Sequence, residues 1–147
     1  MGTYDDLAVG ETFASAAREL TEEDVDLLVR VGGYTHPLFT DPAFAAASTF
    51  GRRPLPGEAI LHVMGGLVEQ TGRFDDTVIA LVGFDDVRFR GAAFAGDSIN
   101  VEVEIVAKEG KPDDRGLITM AWRCLGADGR PLVEATARML FQRGAGP

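Results

Sequence analysis

Apolar and polar positions change rhythm halfway along the chain. The first half carries helical periods. Thr21 precedes three acids, Glu22, Glu23 and Asp24, and Val25, Leu28 and Val29 then recur at i, i+3 and i+4. A hydroxyl cap, first-turn carboxylates that suit the helix dipole and a single apolar stripe predict an amphipathic helix. Gly32 and Gly33 end it. Asp41 followed by Pro42 predicts a short second helix to about Ser48, since Asp caps and Pro fits the first helical position. Phe13 to Leu20 reads as a strand ahead of both, and Tyr34 to Thr40 and Gly51 to Gly57 read as loops. From Glu58 to about Gln70 the polar face nearly vanishes, with Ile60, Leu61, Val63, Met64, Leu67 and Val68 in one short stretch. A helix apolar all round is buried on most sides. Gly65 and Gly66 inside it cost about 1 kcal/mol each in helix propensity, which is tolerable where a sheet backbone passes close by.

The second half alternates with period two. Ile99, Val101, Val103 and Ile105 face one way, and Asn100, Glu102 and Glu104 the other, the mark of a half-buried antiparallel strand. Leu117 to Cys124 and Leu132 to Phe141 behave alike, with Gly126 to Gly129 as the hairpin between them. Val78 to Phe89 is long and β-rich, with Gly83 as a bulge position. An apolar helix followed by a meander of strands predicts α+β architecture, with one curved antiparallel sheet wrapped around a long buried helix.

Composition narrows the function. The 147 residues have the size of one domain, 1–147. The net charge is −9, from 14 basic and 23 acidic residues, which argues against nucleic acid and against an anionic membrane. An acidic carrier protein needs a local basic spot to dock here, and Arg52 with Arg53 is the only adjacent basic pair. The lone Cys124 cannot form an internal disulfide and reads as a buried, inert thiol. Cys and His show no metal-ligand spacing, so neither a metal nor another cofactor is expected. The polar, acidic start is no signal peptide and no apolar run is long enough to span a bilayer, so the expected location is the cytoplasm.

The stretch Gly33-Tyr34-Thr35-His36-Pro37-Leu38-Phe39-Thr40-Asp41-Pro42 resembles the signature loop of MaoC-like, or (R)-specific enoyl-CoA hydratase, proteins, which reads Gly-Asp-x-Asn-Pro-Leu-His-x-Asp-Pro. The likeness runs on through Ala43-Phe44-Ala45, Phe50-Gly51, Pro56-Gly57, Val87-Arg88-Phe89 and Gly96-Asp97-Ser98, and so covers nearly the whole chain. It implies a hot-dog fold. It also implies a site on acyl thioesters of CoA or acyl carrier protein, built between the protomers of a homodimer or higher oligomer. In that family the loop Asp and His flank a water that adds across an enoyl thioester, and a backbone N–H at the start of the buried helix polarises the carbonyl. Here those two positions are Tyr34 and Phe39, and the Asn position is His36.

The usual dyad is thus absent, and its replacement is sought in His36, Glu58 and Tyr34 as catalytic candidates. His36 lies within the signature loop, and Glu58 opens the buried helix, where the resemblance to hot-dog thioesterases places a catalytic carboxylate. His36 and Glu58 are expected to meet at the mouth of an acyl pocket. Tyr34 is either a proton donor or an aromatic wall, and a poor base with an ordinary pKa near ~10. His62, four residues after Glu58, shares its helix face as a structural partner. Thr35, Phe39, Pro56, Gly57, Ala59 and His62 are the expected substrate-binding residues. Three readings stay open: a lyase of the hydratase/dehydratase type with a rebuilt site, an acyl-thioester hydrolase, and a non-catalytic acyl-binding or structural subunit.

Overall fold

The computed structural model describes residues 3–144. Two short strands, β1 (Thr12–Ala14) and β2 (Arg18–Glu19), precede four helices: α1 (Glu22–Gly32), α2 (Pro37–Thr40), α3 (Pro42–Ala47) and α4 (Gly57–Glu69). Four long strands follow: β3 (Val78–Phe89), β4 (Ser98–Lys111), β5 (Arg115–Gly126) and β6 (Pro131–Gln142). They form one antiparallel sheet in the order β1-β4-β5-β6-β3, with β2 also paired to β4. This is the α+β arrangement the sequence pattern predicts.

The core lies between α4 and the sheet, where α4 packs against β4 and β6. Alternation decides which strand residues enter it. Ile99, Val101, Val103 and Ile105 of β4 and Ile118, Met120, Trp122 and Cys124 of β5 are buried. From α4, Ala59, Ile60, Val63, Met64, Leu67 and Val68 join them. Thr21 caps α1 through a reciprocal capping box, its hydroxyl accepting the Asp24 amide while the Asp24 carboxylate accepts the Thr21 amide.

Three expectations are corrected. The single strand over Phe13 to Leu20 is two, because the chain bulges between them: the Ser15 hydroxyl accepts the Val101 amide at 2.9 Å, and the three residues between Ala14 and Arg18 oppose the two between Glu102 and Ile99 on β4. The loop Tyr34 to Thr40 contains the four-residue α2, started by Pro37 at its first position. Helix α4 is buried on most sides but keeps a polar face, on which Glu58, His62, Gly66 and Glu69 are exposed. A Cβ at Gly65 or Gly66 meets nothing within 4 Å, so no sheet backbone presses on either glycine. Around Gly83 the strand does shift register, as it does at two further places along β3.

Candidate active site

Helix α1 ends at Gly33, whose φ of 72° turns the chain left-handed and aims the next residue back across the helix end. Tyr34 then folds over Gly32 so closely that a Cβ there sits 2.5 Å from the ring. In this position the Tyr34 hydroxyl donates to Glu58 Oε2 at 2.9 Å. The Phe39 ring stands edge-on to Tyr34 with centroids 5.3 Å apart.

His36 has a different local task. It is the N-cap of α2, and its Nδ1 accepts the Leu38 amide at 3.1 Å. That bond assigns the neutral ring's hydrogen to Nε2. The ring packs edge-on against Phe44 and Phe39. Thr40 closes the turn by donating its hydroxyl to the carbonyls of His36 and Thr35. Asp41 caps α3 by accepting the amides of Ala43 and Phe44.

The start of α4 lacks a cap. Pro56 occupies the N-cap position and has no side chain able to accept an amide hydrogen. The amides of Ala59 and Ile60 turn back to the Pro56 carbonyl at 3.0 and 3.4 Å, whereas those of Gly57 and Glu58 have no acceptor among the described residues. Two N–H donors therefore stand beside the Tyr34–Glu58 pair. Gly57 has no Cβ for a reason: the Phe89 ring comes within 2.9 Å of where that atom belongs. Next to it opens a cavity of about 390 Å³, lined by Leu38, Phe39, Phe50, Gly57, Ile60 and Phe89, with Arg90 on one side.

The hydrogen bond to Glu58 raises the Tyr34 pKa above its ordinary 10, with burial and the charge of Glu58 acting in the same sense. Tyr34 therefore stays protonated at neutral pH and acts as a donor. Glu58 retains a second carboxylate oxygen for a further partner. Cys124 is deep in the core, and burial pushes its thiol up to about 11, so it is no nucleophile.

The fold thus brings Tyr34, Phe39, Gly57 and Glu58 together. The carboxylate of Glu58 goes to Tyr34, while His36 bonds its own loop, and among the described residues no hydrogen bond joins Glu58 to either His36 or His62. His62 lies on a separate groove between α1 and α4, with Arg18, Asp24 and Leu28. Thr35 is exposed, whereas Pro56 and Ala59 are buried. Phe50, Phe89 and Arg90 line the cavity without having stood out as site residues in the sequence. Phe50 and Phe89 had appeared only as positions of the family likeness, in Phe50-Gly51 and Val87-Arg88-Phe89, and Arg90 carried no signal.

The MaoC like domain model matches residues 6–120. No curated protein sequence matches the chain. Among solved structures it is similar to the monoamine oxidase regulatory protein of Archaeoglobus fulgidus, at 28% identity over 97% of this chain and 95% of that one, with a TM-score of 0.89. It is also similar to the R-hydratase PhaJ1 of Pseudomonas aeruginosa, at 25% identity over 97% of this chain and 87% of that one, with a TM-score of 0.75. The Mycobacterium tuberculosis protein RV0216, which has a double hot-dog fold, shares 20% identity over 97% of this chain and 44% of that one, with a TM-score of 0.80. The fold is accordingly the hot-dog, and the chain belongs to the MaoC-like domain family.

Proposed function

We propose that the protein is an acyl-thioester hydratase or dehydratase whose proton chemistry rests on Glu58, positioned by Tyr34. The observation that carries this is the 2.9 Å bond from Tyr34 to Glu58 at an uncapped helix start. A thioester carbonyl set against the free Gly57 and Glu58 amides is polarised as negative charge builds on its oxygen. Glu58 takes a proton from water as the water oxygen bonds to the β-carbon, and returns it to the α-carbon. The reverse sequence releases water. Tyr34, held protonated, fixes the carboxylate rotamer. His36 offers Nε2–H from the rim as a further donor to substrate. The membership of an R-hydratase among similar structures supports the reaction class.

A homodimer completes this reading. Among the described residues strand β3 is paired only to β6, which leaves its other edge open, and Val78, Ile79, Leu81 and Val82 along it are exposed. A second β3 laid antiparallel buries those side chains and extends the sheet.

Turnover of short enoyl-CoA such as crotonyl-CoA is expected to be weak, because Phe39 transfers no proton and a single carboxylate does two jobs. With an active substrate, Glu58→Gln lowers kcat by about 10²- to 10⁴-fold, and Tyr34→Phe by less. Brisk hydration by Glu58→Gln overturns the assignment. The alternative is an acyl-binding subunit without turnover. It is favoured by Phe39 and by the engagement of His36 Nδ1 in a helix cap, and is recognised by tight acyl-thioester binding with no product.

A further inference from the structure

We infer that the acyl chain this protein takes carries a neutral oxygen, keto or hydroxyl, far from the thioester, and that the indole N–H of Trp122 reads it. The inference rests on the acyl-thioester reading above and narrows its substrate class. A second cavity, of about 310 Å³, opens beside the C-terminal half of α4, lined by Gly65, Val68, Phe74, Val78, Trp122 and Met139. Val68, Phe74 and Trp122 are buried, so the floor is apolar. Gly65 is placed in a helix interior, where glycine is unfavourable, yet a Cβ built there meets nothing within 4 Å. Packing gives no reason for a glycine at this position. Its missing side chain is room in the cavity.

Trp122 supplies the one polar atom of that floor. It is 2% exposed, and its buried Nε1 has no hydrogen-bond partner among the described residues. A buried indole N–H usually has an acceptor, and leaving it unmatched is unfavourable. The Phe84 ring stands at 73° to the indole with centroids 5.4 Å apart, which offers a weak π contact at most. The indole is a donor only, so what completes it is an acceptor. The charged residues that line the cavity are Glu69 and Asp75, both exposed. Two carboxylates disfavour an anionic chain end, which leaves a neutral oxygen on an otherwise apolar chain.

The two cavities lie along one course. Gly57 lines the first and Val68 the second, and three helical turns separate them, so they share a face of α4 about 16 Å apart. Strand β3 spans the same interval, with Phe89 at the first cavity and Val78 at the second. A thioester held at the Gly57 and Glu58 amides therefore needs an extended chain of about ten carbons to reach Trp122.

The test uses saturated thioesters that cannot be hydrated: butyryl-CoA, decanoyl-CoA, 7-oxodecanoyl-CoA, 9-oxodecanoyl-CoA and 9-carboxynonanoyl-CoA. Calorimetry on wild type is expected to show one oxo thioester binding about 5- to 10-fold more tightly than decanoyl-CoA, and the carboxylate binding more weakly than decanoyl-CoA. Trp122 is the only tryptophan in the chain, so a single indole N–H resonance reports on it. That resonance should move downfield with the oxo thioester and little with decanoyl-CoA. Trp122→Phe removes the donor and should erase the oxo preference. Gly65→Leu fills the cavity and should weaken all the ten-carbon thioesters while leaving butyryl-CoA unchanged. If Trp122→Phe melts early, the wild-type resonance and Gly65→Leu carry the same decision. Oxo thioesters that bind no better than decanoyl-CoA and leave the resonance unmoved overturn the oxygen recognition, since the indole is then served by water, and the acyl-thioester reading stands. A preference that survives Trp122→Phe, or ten-carbon binding untouched by Gly65→Leu, overturns it equally. No binding of any thioester to wild type overturns both.

Discussion

Strands β3 and β4 are similarly rich in branched apolar residues and opposite in what they do with them. In β4 the alternation is kept from Ile99 to Ile105, and Val101 and Ile105 are wholly buried in the core. In β3 the register slips at three places, Asp86 adopts a φ of 51°, and Leu81 and Val82 remain 46% and 55% exposed. Each slip adds a residue to β3 that β6 does not match, so the strand twists and its side chains no longer divide between one wet and one dry face. Apolar residues spent on an open edge stabilise nothing within one chain. The difference teaches that this sequence holds two apolar surfaces: one closed by the chain itself, and one that a second copy closes under the proposed assembly.

The sharpest contrast comes from deleting side chain on the closed surface. Ile105→Ala removes fully buried core atoms, and is expected to cost about 3 kcal/mol. The urea midpoint should fall by the same amount at every protein concentration. An effect that fades at high concentration would place Ile105 at an interface and dissolve the comparison.

The open surface should respond differently. Leu81→Lys with Val82→Lys puts two charges on the exposed edge while touching little of the core. The expected result is an unchanged circular dichroism spectrum and a light-scattering mass that falls to that of a single 15.7 kDa chain. Wild type should show twice that mass at micromolar concentration, with a melting temperature that rises with concentration. A wild-type monomer would remove the partner from the argument.

Much of this was legible beforehand. Period-two alternation in β4, β5 and β6 and the caps at Thr21 and Asp41 are local signals, written in neighbouring residues, and they fixed the sheet and helices to within a few positions. The site was legible in its parts and not in its pairing. His36 and Glu58 were sought as partners, and the structure gives Glu58 to Tyr34. What decided this was a four-residue helix beginning at Pro37, for which His36 is the cap, together with the missing Cβ at Gly32 that lets the Tyr34 ring fold back. Both effects depend on backbone placement across a turn, and neither leaves a periodic trace.

The smallest expected effect concerns that pairing itself. Tyr34 titrates above the ordinary tyrosine value of 10, chiefly because its hydroxyl donates to Glu58. The sequence holds two tyrosines, so the difference in tyrosinate absorbance between wild type and Tyr34→Phe isolates this one. Glu58→Gln should return the Tyr34 titration toward its ordinary value, because the hydrogen bond to the Glu58 carboxylate is the leading cause of the shift and the charge of Glu58 adds to it. The sign for stability follows from the raised value. Below pH ~10 the phenol is protonated in both folded and unfolded chains, and the bond contributes in full. Its contribution is lost as the pH climbs through the higher folded value, where a phenolate would face the Glu58 carboxylate. Tyr34 is only partly buried, so solvent screens the pair and the stability change is small. The spectroscopic shift is the sensitive measurement. A Tyr34 that titrates at the ordinary value in wild type, unmoved by Glu58→Gln, would mean the two side chains do not meet in solution, and Glu58 would lose its positioning partner.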